Sequence, residues 1–173
     1  MLLFVLTFSM LGCNSEKNVL RKMLEEFEGT QIFIPKDMTM IQSGKLSPYE
    51  IQQGTPVFIV YVSPDECSSC RISHLDKYED LFLMAKSMDF DVMIILSPTD
   101  DQIEYIQDQL IQSRFSHPVY LDSYSEFSGQ NKIPEDKRFH SFLINSDLYP
   151  VFVGDPTLND KMQSILSDIL TER

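Results

Sequence analysis

The chain of 173 residues is long enough for one globular domain, and 43% hydrophobic residues with 11% aromatic residues support a packed core. Its formal net charge of −12 at pH 7 repels nucleic-acid phosphates, and no dense basic cluster offsets that charge. We therefore expect one folded domain behind a short N-terminal segment, and no role in nucleic-acid binding.

The N-terminal segment, residues 1–12, is uncharged, is too short to span a bilayer as an anchor, and ends in a small residue before Cys13. This pattern predicts an export signal. The stretch Met10-Leu11-Gly12-Cys13 resembles the lipobox of bacterial lipoproteins, which implies cleavage before Cys13 and lipid attachment to its sulfur. The alternative is an ordinary apolar segment. The polar residues at 14–17 favour the lipoprotein, because they suit a tether.

The next region predicts one helix and one short strand. Apolar residues recur at three- and four-residue spacing from Glu16 to Phe27, which predicts an amphipathic helix that ends at Gly29. Residues 30–34 suit a short strand. Residues 36–54 contain Gly44, Pro48 and Gly54, which interrupt regular secondary structure, so we expect a long surface loop there.

Two apolar runs in the middle of the chain predict neighbouring parallel strands. Residues 57–62 are almost continuously apolar, which is typical of a strand covered on both faces near the centre of a sheet. Residues 91–96 form a second such run. A helical period continues between them from Cys67 to Met88, so the region predicts a β-α-β unit.

The last third predicts two helices and three strands. Residues 99–102 read as a capping box ahead of a helix, and residues 118–121 suit a short strand. Residues 142–145 and 149–153 predict a hairpin. A closing helix follows from residue 157 to residue 170.

The cysteines between the two buried strands are the main chemical signal. Cys67 and Cys70 lie where a strand passes into a helix, so unpaired backbone N–H groups and the helix dipole favour the thiolate of Cys67. A bacterial envelope can hold such a pair oxidised. With Cys13 lipidated, only two thiols remain, and one chain cannot assemble a four-cysteine zinc site.

The order of these elements resembles the thioredoxin fold over residues 30–170. The segments 131–134, 139–145 and 153–156 resemble the closing segments of envelope lipoproteins related to TlpA-like thiol-disulfide oxidoreductases. The resemblance implies an α/β fold in which helices flank a central mixed β-sheet, with an N-terminal helical extension. It divides the chain into a signal peptide at 1–12, a tether and helix at 13–29, and a thioredoxin-like domain at 30–173.

The resemblance also implies a mechanism. Cys67 would be the attacking thiol, and Cys70, one helical turn deeper, would be the resolving thiol. The reaction needs no cofactor. The partners would be protein thiols or disulfides and an unidentified electron donor, at a bacterial envelope membrane and facing the periplasm. Asp65 and Glu66 should raise the pKa of Cys67 and Arg71 should lower it, so the direction of electron flow stays open.

The sequence departs from the family pattern near the cysteines. Tyr61 stands where thioredoxins bury an acid, and the tryptophan that usually precedes the first cysteine is missing. His140 aligns with the cis-proline that normally faces the dithiol. It could act as a general base near Cys67, complete a Zn or Cu(I) site with Cys67 and Cys70, or simply fill space.

Two other functions remain open beside oxidoreductase activity. One is a metal chaperone or sensor that uses Cys67, Cys70 and His140. The other is a redox-inactive adaptor on the same scaffold, because a fold does not determine a function. Peroxidase chemistry is less favoured, because the family pattern of a lone peroxidatic cysteine with threonine and arginine nearby is not evident.

Overall fold

The computed structural model describes residues 11–47, 49 and 54–172, with side chains from residue 16 onward. Within these residues, seven strands form one sheet: β1 (Thr39–Gln42), β2 (Lys45–Ser47), β3 (Val57–Val62), β4 (Asp91–Leu96), β5 (Val119–Leu121), β6 (Ser141–Ile144) and β7 (Pro150–Val153). The helices are α1 (Leu11–Glu28), α2 (Ser68–Ile72), α3 (Glu79–Met88), α4 (Ile103–Ser113), α5 (Glu126–Gln130) and α6 (Asp160–Thr171). Short 3-10 turns lie at Leu75–Tyr78, Asp100–Gln102 and Lys137–Phe139.

The sheet is mixed and has the strand order β2-β1-β5-β4-β3-β6-β7. Strands β3, β4 and β5 run parallel, whereas β6 pairs with β3 and β7 pairs with β6 in the antiparallel sense. The β-α-β unit and the hairpin of the sequence analysis are thereby confirmed. Strand β3 lies inside the sheet between β4 and β6, and all six of its residues are buried.

The two faces of the sheet carry separate hydrophobic cores. Side chains alternate along β3, so Phe58, Val60 and Val62 face one core while Ile59 and Tyr61 face the other. The first core packs under α3, α4 and α6. The second packs under α1 and α5. Burial on both faces explains why the sequences of β3 and β4 are almost continuously apolar.

The strand predicted at residues 30–34 is wrong, as is the long loop after it. Residues 31–35 are irregular, and their backbone bonds to groups distant in sequence: the Ile32 N–H donates to the Leu148 carbonyl at 2.8 Å, and Phe33 bonds the Asn131 side chain. The region predicted as loop instead contains the hairpin of β1 and β2. Its two-residue turn is Ser43-Gly44, and both residues have positive φ, as such hairpins require.

Two helix predictions also need correction. The helix after Cys67 is interrupted between α2 and α3, where the Ser73 hydroxyl donates to the Ser69 carbonyl at 3.0 Å and the His74 N–H bonds three residues back. Serine bonds of this kind compete with the regular helical pattern. The predicted capping box is absent among the described residues, because the Thr99 side chain makes no cap hydrogen bond and a 3-10 turn precedes α4.

The predicted N-terminal helix is confirmed as α1. The predicted signal peptide lies largely outside the described residues, and so does the side chain of the predicted lipidation site, Cys13. Among the described helices, none combines the length and hydropathy that crossing a membrane requires.

Candidate functional site

The two cysteines form a disulfide at the carboxyl end of β3, with their Cα atoms 5.2 Å apart. A four-residue loop, 63–66, connects β3 to Cys67, which is the N-cap of α2. The Cys67 Sγ accepts a hydrogen bond from the Cys70 N–H at 3.2 Å. The N–H donor that the sequence predicted at Cys67 is therefore in place, and in the reduced protein it would favour the thiolate.

Both cysteines are exposed to solvent. The exposure of Cys67 agrees with its predicted role as the attacking thiol. Cys70 was expected to lie deeper, one helical turn along, but α2 is only five residues long and leaves Cys70 exposed as well. Burial therefore does not distinguish the two thiols, and their order of reaction stays a prediction.

The carboxylate of Glu66, directly before Cys67, is the centre of a buried ionic cluster. Its Oε1 lies 2.7 Å from His140 Nδ1, and its Oε2 lies 3.5 Å from a guanidinium nitrogen of Arg71. Ser63 adds two longer hydrogen bonds, both 3.3 Å, from its backbone N–H and its hydroxyl. The side chains of His140 and Glu66 are only 7% and 11% exposed, so this pair is shielded from solvent.

Both ring nitrogens of His140 face hydrogen-bond acceptors. Nδ1 faces the Glu66 carboxylate, and Nε2 lies 3.1 Å from the Pro134 carbonyl oxygen. The imidazolium form satisfies both, because it donates from both nitrogens. His140 is therefore engaged with Glu66 and Pro134. The predicted chemical role of His140 remains untested, but the geometry favours action through Glu66.

The proposed metal site also depends on His140. Its ring nitrogens are occupied, and within the described residues no group of three or more His, Cys, Asp or Glu side chains is placed to hold a metal ion. A site built from Cys67, Cys70 and His140 would require His140 to leave Glu66. The geometry therefore does not favour this alternative.

The electrostatics of Glu66 follow from these contacts. Burial alone would raise the pKa of the Glu66 carboxyl, but hydrogen bonds from His140 and the Ser63 backbone, with the charges of His140 and Arg71, hold it below its ordinary value. Glu66 was expected to oppose thiolate formation at Cys67. Its charge is instead paired with Arg71 and bonded by His140, which reduces that opposition.

Arg71 extends the cluster towards the first core. Its second terminal nitrogen donates to the Tyr78 hydroxyl at 2.7 Å, and Tyr78 is fully buried. Burial raises the pKa of Tyr78, so the hydroxyl stays neutral and accepts from Arg71. Lys77 lies over the Tyr78 ring, 4.6 Å from its centroid, and pairs with Asp155 at 3.2 Å. Cations thus line the side of the disulfide next to α2.

Tyr61 occupies the position where the family pattern expects a buried acid. It is 2% exposed, its hydroxyl has no hydrogen-bond partner among the described residues, and burial raises its pKa. Tyr61 packs against His140 with ring centroids 5.3 Å apart. The buried acid Asp122 is used elsewhere, because it accepts from Ser97 and from two backbone N–H groups at the start of α5.

The feature of the candidate site that sequence reasoning missed is the Glu66–His140 pair. His140 was singled out, but Glu66 was treated only as a local negative charge. The two residues are 74 positions apart, and no local pattern connects them. The pair could have been expected only from the strand order. Because β3 and β6 are neighbours, the loop before Cys67 lies next to His140, the residue before β6.

No protein-family model and no curated protein matches the sequence. Solved structures do match. A cysteine-to-serine mutant of PrxQ from Xylella fastidiosa is 10% identical with a TM-score of 0.52, and the match covers 83% of this chain and 96% of that one. Peroxiredoxin Q from Xanthomonas campestris is 12% identical with a TM-score of 0.51, covering 83% and 99%.

The chain has a thioredoxin-like fold. This likeness in structure, together with the mixed sheet and its flanking helices, confirms the fold expected from the sequence. At these identities the likeness extends to the fold alone. Within the thioredoxin-like frame, the disulfide lies at the junction of β3 and α2, and the Glu66–His140 pair lies behind it.

Proposed function

We propose that the protein is a lipid-anchored envelope thiol-disulfide oxidoreductase that exchanges disulfides through Cys67 and Cys70. The observation that carries this proposal is an exposed disulfide at the start of a helix, in which the Cys67 sulfur accepts the Cys70 N–H. A purely structural disulfide would close a larger loop, because a loop this small removes little entropy from the unfolded chain.

The exchange transfers two electrons from the Cys67–Cys70 dithiol to a substrate disulfide. In the reduced protein, the Cys67 thiolate attacks one sulfur of a substrate disulfide, forms a mixed disulfide and releases the other substrate sulfur as a thiolate. Cys70 then loses its proton to solvent, attacks the Cys67 sulfur and releases the second substrate thiolate. The substrate gains two electrons, and Cys67 and Cys70 return to the disulfide. The reverse sequence oxidises a substrate dithiol.

The direction of exchange depends on the reduction potential of the Cys67–Cys70 pair relative to its partners. This potential can be measured by a redox titration in thiol buffers, in which free thiols are alkylated and counted by mass. Using the Cys13→Ser variant ensures that only Cys67 and Cys70 are counted. A reversible two-electron transition supports the proposal, and its potential assigns the direction. Thiols that never pair, or a disulfide that resists reduction in the folded protein, would contradict it.

The roles of the two cysteines are tested by single substitutions in the same background. We expect Cys67→Ser to abolish reduction of a small chromogenic disulfide, and Cys70→Ser to trap a mixed disulfide visible by mass. Hydroperoxides serve as a parallel substrate to detect peroxidase activity. Unchanged turnover in Cys67→Ser would eliminate the mechanism, and partner binding indifferent to both substitutions would favour an adaptor.

The lipid anchor is a separate part of the proposal, supported by the stretch Met10-Leu11-Gly12-Cys13 and the polar residues that follow. We expect metabolic labelling with a fatty acid to mark the protein in a bacterial host, and Cys13→Ser to abolish the label. The same substitution should release the protein from the envelope membrane into the periplasmic fraction. Unchanged labelling of Cys13→Ser would refute this assignment.

A further inference from the structure

A large cavity lies beside the disulfide. Its volume is about 660 Å³, and its walls come from α1, the end of β7, the turn before β6 and the start of α6. A smaller cavity of about 390 Å³ contains Cys67 and Cys70. The two share Glu66, Arg71 and Lys137, so they form one continuous depression that runs from the disulfide to α1.

The wall of the larger cavity away from the disulfide is mostly apolar. Leu20 and Leu24 from α1, Val153 from β7 and Met162 from α6 supply this surface, and Leu158 stands at its edge with 71% of its surface exposed. An apolar surface of this size next to a reactive sulfur offers a polypeptide segment a place to bury its side chains.

The charge of the depression differs in sign from the charge of the protein. Five Lys or Arg side chains line the two cavities, against three Asp or Glu side chains, whereas the whole chain has 14 against 26. Two of the three carboxylates are already paired, Glu66 with His140 and Arg71, and Asp155 with Lys77.

Arg21 and Lys137 are the cations available to a ligand. Both are exposed, and among the described side chains neither takes part in an ion pair. Arg138, in contrast, is held by Asp136 at 2.6 Å. Lys137 lines both cavities and Arg21 lines the larger one, so a bound segment would meet a positive charge where the cavities join and another on α1.

We propose that this depression binds the segment that flanks the reactive cysteine of a substrate protein, and that the segment combines apolar side chains with carboxylates. The inference rests on the proposed oxidoreductase function, because it names the class of substrate for that site. Local charge complementarity supports it: Arg21 and Lys137 line the depression and can pair with carboxylates at contact, where screening by salt weakens the long-range repulsion from the net charge of −12.

The test uses three synthetic peptides of equal length, each with one cysteine in a mixed disulfide with a chromogenic thiol. One has apolar residues and carboxylates around the cysteine, the second has the same apolar residues with lysines, and the third has serine and glycine with carboxylates. We expect kcat/KM of the reduced full-length protein to be about five- to tenfold higher for the first peptide than for either other peptide, since each exposed charge contact contributes modestly.

Substitutions test whether Lys137 and Arg21 cause the preference for the acidic peptide. Lys137→Glu combined with Arg21→Glu should remove the preference for the acidic peptide over the lysine peptide or reverse it. Lys45→Glu combined with Lys86→Glu is the matched control, because it changes the net charge by the same amount at two exposed residues, on β2 and α3, that line neither cavity, and it should leave the preference unchanged. If the variant with Lys137→Glu and Arg21→Glu does not fold, the peptide series on the unaltered protein still decides the question.

The outcomes separate this inference from the function on which it rests. Equal kcat/KM for the three peptides, with rapid reaction of a small chromogenic disulfide, would overturn the substrate class and leave the oxidoreductase function standing. Failure to react with any disulfide would overturn the proposed function and this inference together. An acidic preference that persists in the variant with Lys137→Glu and Arg21→Glu would place recognition elsewhere and refute the assignment to this depression.

Discussion

Substitution of Glu66 by Gln tests whether the buried ionic cluster stabilises the fold. Gln keeps the size of the side chain but removes its charge, and its amide N–H₂ group would then face cationic donors. His140 and Arg71 would lose their shared carboxylate in a site where Glu66 is 11% exposed. Loss of a shielded charge-assisted hydrogen bond costs about 2–3 kcal/mol, so we expect the free energy of unfolding at pH 7 to fall by that amount.

The matched control is Glu79→Gln. Glu79 also bonds a histidine, with its Oε2 2.8 Å from His117 Nε2, but its side chain is 47% exposed. Solvent screens that pair, so its loss should change the free energy of unfolding by less than about 1 kcal/mol. The two variants thus compare the same pair of residue types at different burial.

The pH dependence has a defined sign. The pKa of Glu66 in the folded protein lies below the ordinary value of 4.5, so its stabilisation is fully present above that value and is lost as pH falls through the lower, folded pKa. The difference between the unaltered protein and Glu66→Gln should therefore be greatest near neutral pH and shrink in acid. Urea unfolding of the oxidised proteins from pH 7 down to pH 3 measures it. Equal destabilisation by Glu66→Gln and Glu79→Gln at pH 7 would refute the reasoning.

Two further predictions concern the segments that hold the site in place. Asn131→Ala should lower the free energy of unfolding by about 2–4 kcal/mol, because the Asn131 side chain bonds both the N–H and the carbonyl of Phe33 at 2.7 Å, and thermal unfolding with no change would contradict this. Gly154→Ala should destabilise by about 1–3 kcal/mol, since its φ is +143°, a backbone conformation that residues with a Cβ rarely adopt. Gly129→Ala is the control, because Gly129 lies in helix α5 and a Cβ there would meet no described atom within 4 Å; equal effects of the two glycine substitutions would refute the argument from φ.

The sequence correctly predicted the strands that are buried on both faces. Strands β3 and β4 match the runs at 57–62 and 91–96 residue for residue, because both faces of each strand are buried and every position except Asp91, the first residue of β4, is therefore apolar. Residues 30–34 failed the same reasoning. Ile32 and Ile34 are buried and Phe33 is 40% exposed, but the backbone bonds to Leu148 and Asn131, which no local pattern indicates.

The site was predicted in part for a similar reason. The cysteine pair follows from local order, since a buried strand, a short loop and the start of a helix, all within residues 57–68, place it at the carboxyl end of β3. The partner of His140 does not, because Glu66 reaches it only through the pairing of β3 with β6. The hairpin of β1 and β2 was missed although Ser43-Gly44 is a turn signal, because the flanking strands are short and only partly buried.

The backbone at His140 has a consequence for substrate recognition. The His140 N–H donates to the Lys137 carbonyl and its carbonyl accepts from the Tyr61 N–H, while the Phe139 N–H donates to the Asp136 carbonyl. In the family that this chain resembles, a cis-proline at this position helps to dock the substrate backbone. Here both N–H groups are satisfied within the protein, and the His140 carbonyl belongs to the sheet. Under the proposed function, recognition of a substrate would therefore depend more on side chains, and the apolar wall and the cations beside the disulfide supply them.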